Sequence, residues 1–340
     1  MTRTHVIHVV PALNIGGVEV GLMRSKVELE KHLSFQVFSV KGVGSLSLPC
    51  LSWGDVLKLI FRRQGRPQVV VTSLWLGHLV GFFLAVCYGA RWIPFFHAAR
   101  SEGIWRDVIL RSAARFSRFA FFDSPATHGY YKRIGKGSSQ IIPYRFVSSG
   151  QDAEKGKDRT YTCIWVGRLS PEKRPDLLVE YLWQLKRLMP DAKPLVVASG
   201  ELKAQDELRC QLKIRELEVD IRFNVSPFEV VGLLKQAALY LSFSDYEGFG
   251  MATVDAMSCG CVPVVRPVGE IAAYVDESCG ILATNPSTLG LSATAELSVV
   301  LLRNTDKWLI FSERARRSVS RYPFYTESYL EGVQRALDLR

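Results

Sequence analysis

The chain has 340 residues, 48% hydrophobic and 22% charged, which suits a soluble globular protein with room for two cored domains. Seven cysteines, with no CxxC pair and no grouping with histidine, argue against a disulfide framework or a zinc site and for a reducing compartment. The net charge of +10 is uneven: residues 1–150 carry 19 Lys/Arg against 7 Asp/Glu, the remainder 24 against 26.

The first residues, MTRTHVIHVVPAL, read as a β-strand over His5–Pro11 and not as a signal peptide. A loop with paired glycines, Gly16-Gly17, and a helical run to about His32 follow. Strand, glycine loop and helix form the layout of an anion-binding turn, although neither GxGxxG nor a Walker lysine is present; a plain tight turn fits equally well. Ser34–Val40 and Val69–Thr72 are the next strands. Leu74 to Ala90 is apolar and about 17 residues long, the lower limit for a membrane span; without flanking anchors it reads as a buried helix. Trp92–Phe96 is a strand that delivers His97 to its carboxyl end, where open α/β sheets bind ligands. A histidine in that position is more often structural. Helices at Arg106–Phe119 and Pro125–Ile134 flank a strand at Phe119–Ser124, and Ile141–Pro143 closes the first half.

Two stretches of this half, 56–66 and 106–122, interleave basic residues with aromatics and aliphatics. Such segments suit an anionic membrane surface. Nucleic acid is not expected, since no helix-turn-helix, RNA-binding or zinc-finger pattern is present. The plain alternative is a solvated basic face.

The polar stretch 151–160 reads as an interdomain linker between an N-terminal domain (1–150) and a C-terminal one (161–322). The alternation then restarts, with strands at Thr162–Val166, Pro194–Ser199, Asp220–Asn224, Ala237–Leu241, Cys261–Val265 and Gly280–Ala283. Helices lie between them, one of them short, at Val268–Val275. A last helix, within 323–340, would pack back on the N-terminal domain. Two rounds of alternation mean an α/β protein of two doubly wound, Rossmann-like domains facing across a cleft. The densest chemistry lies in SFSDYEGFGMATVDAMSCG (242–260), where an acid, Glu247, stands beside two glycines as strand turns into helix, with Asp255 eight residues later. Unpaired N–H groups at the start of that helix suit phosphate.

With these residues in view, the second half resembles the retaining glycosyltransferases of the GT4 family, the glycosyl transferases group 1, which have the GT-B fold. The likeness rests on WVGRLSPEKRPDLLVEYL (165–182) and on the block 223–265. GGVE (16–19) and IPFFHAAR (93–100) are similar to the family's N-terminal glycine motif and histidine strand. The resemblance implies a nucleotide-diphosphate sugar donor and transfer with retained configuration. Arg168 and Lys173 would neutralise the diphosphate leaving group. The backbone of Phe249, Gly250 and Met251, and the Gly16-Gly17 loop, would bind the same phosphates. His97 and Glu247 would hold the donor sugar as catalytic residues. The family's second acid binds the ribose; here it is Asp255, one methylene shorter. IIPYRFV (141–147) departs from the family's usual Pro-Asn-Gly entry. No metal or cofactor is implied. The basic first half favours a lipid-linked or growing glycan acceptor, as in surface polysaccharide or lipopolysaccharide synthesis on the cytoplasmic face of a plasma membrane. A nucleotide-sugar epimerase and a non-catalytic nucleotide-sugar-binding relic are the alternatives.

Overall fold

Short β-branched and aromatic runs, buried on both faces, alternate with helices to build two parallel sheets, one in each of two units. The computed structural model describes residues 3–13, 16–42, 48–61, 65–97, 103–148 and 159–339. Unit one comprises Met1–Phe146 and Pro323–Arg340, and unit two Val147–Tyr322. Most of the linker expected at 151–160 lies outside the described residues.

In unit one the chain runs β1 (His5–Val10), α1 (Gly17–His32), β2 (Ser34–Ser39), α2 (Trp53–Phe61), β3 (Val69–Ser73) and α3 (Leu74–Tyr88). It continues β4 (Arg91–Phe96), α4 (Ile104–Phe116), β5 (Phe119–Phe122), α5 (Pro125–Tyr131) and β6 (Ser138–Ile141). The sheet order is β2-β1-β3-β4-β5-β6. The order reverses at β1 and β3, which pair in parallel with His8 opposite Val71 and Val9 opposite Thr72.

α3 differs from the expected fully buried helix. Its buried face holds Gly77, His78, Gly81, Leu84, Ala85 and Tyr88, while Phe83 and Val86 are 61% and 66% exposed. The two glycines let the helix lie close to the sheet: a Cβ on Gly77 would come 2.9 Å from the Val9 carbonyl oxygen. Because its one charged-type residue, His78, is buried and the rest is largely apolar, periodicity could not separate the two faces. Among the described residues no helix is long and apolar enough to cross a membrane. The last strand also falls earlier than Ile141–Pro143, because Ser138–Ile141 pairs with β5 as a half-exposed edge with no apolar alternation to reveal it.

Unit two runs β7 (Tyr161–Arg168), a 3-10 turn (Pro171–Lys173), α6 (Pro175–Leu188), β8 (Pro194–Ser199), α7 (Leu202–Ile214), β9 (Asp220–Phe223) and α8 (Pro227–Leu234). It continues β10 (Ala237–Ser242), α9 (Met251–Ser258), β11 (Val262–Val265), α10 (Ile271–Tyr274), β12 (Ile281–Leu282), α11 (Thr288–Leu302) and α12 (Thr305–Ser320). The order β12-β11-β10-β7-β8-β9 reverses between β7 and β10. α6 buries Leu178, Tyr181, Leu182 and Leu185 at helical spacing, beside Trp165 and Phe243 from the sheet. Each such side chain contributes about 1.5–3 kcal/mol of burial.

The final helix, α13 (Tyr325–Asp338), belongs to unit one. Glu327 caps its start by accepting from the Phe324 N–H at 3.4 Å. It packs against α1, β4 and β6, burying Tyr325, Tyr329, Val333 and Ala336.

Candidate active site

In a doubly wound sheet the loops at the carboxyl ends of the two strands flanking the reversal diverge and leave a crevice. In unit two those strands are β7 and β10, and their loops carry Arg168, Lys173 and Glu247. Lys173 Nζ donates to Glu247 Oε1 at 2.5 Å, and Ser244 Oγ donates to the same oxygen at 2.9 Å. The lysine and glutamate side chains are 24% and 16% exposed, so the pair is partly desolvated yet reachable. Arg168 stands apart, more than half exposed, its ion-pair partner among the described residues being Glu172 at 3.4 Å.

A clasp that sequence reading missed ties the two loops together. Asp245 N–H donates to the Glu172 carbonyl at 2.8 Å. The Asp245 carboxylate accepts from Arg174 at 3.3 Å and from Arg266, whose guanidinium also reaches the carbonyls of Phe243 and Ser244. Arg174 also pairs with Asp176 at 2.6 Å, a hydrogen bond that raises the arginine's already high pKa. Arg174 sits at φ +51°, a left-handed conformation that non-glycine residues seldom take.

The glycine turn is supported from beneath. Gly250, at φ +78°, caps α9, and a Cβ there would lie 2.6 Å from the Tyr274 hydroxyl. That hydroxyl donates to the Phe249 carbonyl at 2.8 Å, and burial holds the phenol's pKa well above 10. Gly269, at φ +56°, presses its backbone against the Glu247 carbonyl, which is why the helix expected from Val268 begins only at Ile271. Phe249 is buried, Met251 half-buried, and α9 points its first N–H groups toward the loop. Asp255 is 5% exposed, on the same helix.

In unit one, β4 delivers His97 to the carboxyl edge, half-buried. Its Nε2 lies 2.8 Å from Ser73 Oγ and its Nδ1 lies 3.1 Å from the Tyr144 hydroxyl. Burial, reinforced by His8 and His78, holds its pKa well below 6.5, so the ring is neutral. Gly16 and Gly17 open α1 as expected of a βα turn. A Cβ on Gly16 would meet the Glu19 carboxylate at 2.6 Å, so that carboxylate lies over the turn. Tyr144 comes from the unusual IIPYRFV stretch; Ser73 and His8 sit in runs that carried no motif.

Residues 150–308 match the family model described as glycosyl transferases group 1. That stretch contains Arg168, Lys173, Glu247 and Asp255. The match lies within the second unit and covers somewhat less than half of the chain. Among curated relatives it is 25% identical over 260 residues to a GDP-mannose:cellobiosyl-diphosphopolyprenol alpha-mannosyltransferase from Xanthomonas campestris, covering 74% of this chain and 63% of that protein. It is 26% identical over 257 residues to the enzyme of the same name from Komagataeibacter xylinus, covering 69% and 61%. The chain thus spans about three fifths of the length of the curated relatives it matches. Among solved structures it superposes on Anabaena HepE in complex with UDP and glucose with a TM-score of 0.73 at 18% identity, covering 98% of this chain and 99% of that one. For sucrose-phosphate synthase from Thermosynechococcus elongatus the TM-score is 0.74 at 16% identity, with 98% of each chain covered. The glycosyltransferase GT-B architecture expected from the sequence is the fold of this protein.

Proposed function

We propose that the protein is a retaining glycosyltransferase that moves a sugar from a nucleoside-diphosphate sugar to a lipid-linked or growing glycan. The observation that carries this reading is the Lys173–Glu247 contact at the strand reversal of unit two, inside the family-matched stretch. The bond from the anomeric carbon to the β-phosphate oxygen breaks while the acceptor oxygen bonds the same carbon from the same face. The departing phosphate takes the acceptor's proton. Charge builds on the leaving diphosphate, and cationic groups placed beforehand stabilise it. Lys173 supplies a point charge, Arg168 a planar fork, and the start of α9 its unpaired N–H groups. Glu247 fixes the lysine and accepts from sugar hydroxyls. Asp255 serves the ribose. In unit one, His97 is proposed to contact the sugar, and the Gly16-Gly17 turn the diphosphate once Glu19 turns away. These donors make the reaction independent of a metal, and EDTA leaves the rate unchanged; loss of rate restored by Mn²⁺ would overturn that part.

The mannosyltransferase relatives make GDP-mannose the first donor to test and a polyprenyl-diphosphate glycan the first acceptor. A lipid acceptor also suits unit one. There α3 packs beside α2 and α4, and the row exposes Phe61, Phe83, Trp105 and Phe116 among Lys58, Arg106, Arg111 and Arg115. Such a face fits an anionic bilayer and hence peripheral attachment at the cytoplasmic side of the membrane, in surface polysaccharide assembly. Co-flotation with phosphatidylglycerol vesicles but not phosphatidylcholine vesicles is the expected outcome. A thermal-shift panel of UDP, GDP, ADP and their sugars identifies the donor: a ligand at a hundredfold its dissociation constant stabilises by about 2.7 kcal/mol. If no nucleotide shifts the melt and no sugar is transferred, the reading fails.

A further inference from the structure

Five side chains of unit one form one unbroken hydrogen-bonded line. Tyr329 OH lies 3.2 Å from His8 Nδ1, and His8 Nε2 lies 2.7 Å from Ser73 Oγ. The same Oγ lies 2.8 Å from His97 Nε2, and His97 Nδ1 lies 3.1 Å from Tyr144 OH. The line starts on the final helix, passes the carboxyl edge of β4 at His97 and ends at Tyr144, after β6. We propose that Ser73 locks His8 and His97 into opposite tautomers, and that Ser73 and Tyr144 are thereby positioning residues for His97.

The deduction is a proton count. A serine hydroxyl carries one hydrogen, and a neutral imidazole carries one N–H and one acceptor nitrogen. Two imidazole Nε2 atoms meet one Oγ; its two lone pairs could accept from both rings, but the buried hydroxyl hydrogen would then lack an acceptor, since the two rings are its side-chain partners among the described residues, so one ring receives that hydrogen and the other donates its own. In the first arrangement His8 Nε2–H donates to Ser73, Ser73 donates to His97 Nε2, and His97 carries its proton on Nδ1, facing Tyr144. In the second every bond is reversed: His97 Nε2–H donates to Ser73, Ser73 donates to His8 Nε2, and His8 carries Nδ1–H toward Tyr329. Both arrangements satisfy every ring nitrogen, and in both the two rings are opposite tautomers.

Burial keeps both rings neutral, as the count requires; His8 is pushed down to about 3. The frame is rigid. His8, Ser73 and Tyr329 have no exposed surface, and Tyr329 stacks on His8 with ring centroids 6.0 Å apart. Tyr144 is pressed against α1, where a Cβ on Gly21 would come 2.4 Å from its ring. The residue after Ser73, Leu74, takes φ +62°, so strand passes to helix in one strained step and the Ser73 hydroxyl stays inside. With both nitrogens engaged, His97 neither gives nor takes a proton during a reaction; it acts through a fixed ring position.

The consequence for catalysis rests on the glycosyltransferase reading; the tautomer rule does not. The test uses the full chain labelled with ¹⁵N-histidine. Two-bond ¹H–¹⁵N spectra at pH 7 read which nitrogen of each ring is protonated, with His8→Gln and His97→Gln giving the assignments. The expected result is one Nδ1–H ring and one Nε2–H ring. Two rings of the same tautomer, or a charged ring, would overturn the proposal. Tyr144→Phe removes a partner from His97 Nδ1, which is less costly to leave as a bare lone pair than as a buried N–H. It therefore drives His97 to Nε2–H and His8 to Nδ1–H; His97 remaining or becoming Nδ1–H would contradict the rule. In a transfer assay Ser73→Ala is expected to lower kcat tenfold or more with little change in donor KM, and unchanged kcat removes the positioning role. If the wild-type chain transfers no sugar, the functional reading fails while the spectra still decide the tautomers.

Discussion

Lys173 and Glu247, 74 positions apart in the chain, meet at 2.5 Å where β7 and β10 part at the strand reversal of unit two. Each offsets the other's charge. Under the proposed function an arriving diphosphate would share the lysine with the glutamate, and the two residues would act as a unit. Lys173→Ala is expected to cut transfer on the order of 10²–10³-fold, the cost of removing one preorganised donor to a developing oxyanion. Glu247→Gln keeps the shape but releases the lysine, and is expected to lose a comparable factor. The double variant should lose much less than the product of the two losses. Steady-state kinetics of the three variants check this, and simple multiplicativity would mean that the contact has no part in catalysis.

Arg174 offers a separate test of the clasp. Its left-handed backbone penalises any side chain by roughly 1 kcal/mol, which glycine escapes. Its ion pairs with Asp176 and Asp245 are partly exposed and contribute about 0.2–1 kcal/mol each. Arg174→Gly trades strain for lost pairs and should melt within a few degrees of the wild type. Arg174→Ala loses the pairs and keeps the strain, so it should melt below Arg174→Gly. Thermal denaturation of both variants decides, and the reverse order would contradict the conformation described.

The two-sheet architecture was legible because strands covered on both faces read as unbroken apolar runs separated by amphipathic helices. Glu247 and Lys173 drew attention because they sit in local motifs, EGFG and GR…K, and the structure brings them into contact. The clasp was not: Asp245 and Arg266 are charged residues in loops, indistinguishable in sequence from solvated ones until the fold brings them into contact. Ser73 was hidden for the opposite reason. A single hydroxyl in VVVTSLWL looks like a tolerated interruption of a core strand, and its two histidine partners lie 65 and 24 residues away. α3 hid its exposed aromatic face because periodicity needs polar residues to mark the outside, and this helix has only His78, which is buried.

Gly269 is the position where the smallest change should do most harm to the candidate site. A methyl group there would stand 1.9 Å from the Glu247 carbonyl oxygen, and the backbone holds φ +56°. Relief requires moving the loop that carries Glu247. Gly269→Ala should therefore weaken the nucleotide-induced rise in melting temperature more than it lowers the unliganded melt. By contrast Gly129→Ala, where an added Cβ meets nothing within 4 Å, serves as the silent control. An unaltered ligand shift in Gly269→Ala would show that the loop yields without consequence.

All six histidines lie in unit one, and the burial of His8, His78 and His97 makes its stability depend on pH in a way that unit two escapes. Burial pushes both His8 and His78 from 6.5 down to about 3. Above 6.5 the rings are neutral in folded and unfolded chains alike, and pH has no leverage through them. Between about 6.5 and 3 the unfolded chain binds protons that the folded chain refuses, so stability falls as pH falls. Each of the two rings contributes a slope of about 1.4 kcal/mol per pH unit within that window. Hydrogen exchange at pH 7.5 and pH 5, corrected for intrinsic rates, should show protection falling in β1, β3 and β4 while β7, β8 and β10 hold theirs. Replacing the buried ring of His78 by Gln should remove one ring's share of the acid slope of unit one, about a third of what His8, His78 and His97 supply together, measured as melting temperature against pH. Equal loss of protection in both units would reject the histidines as its cause.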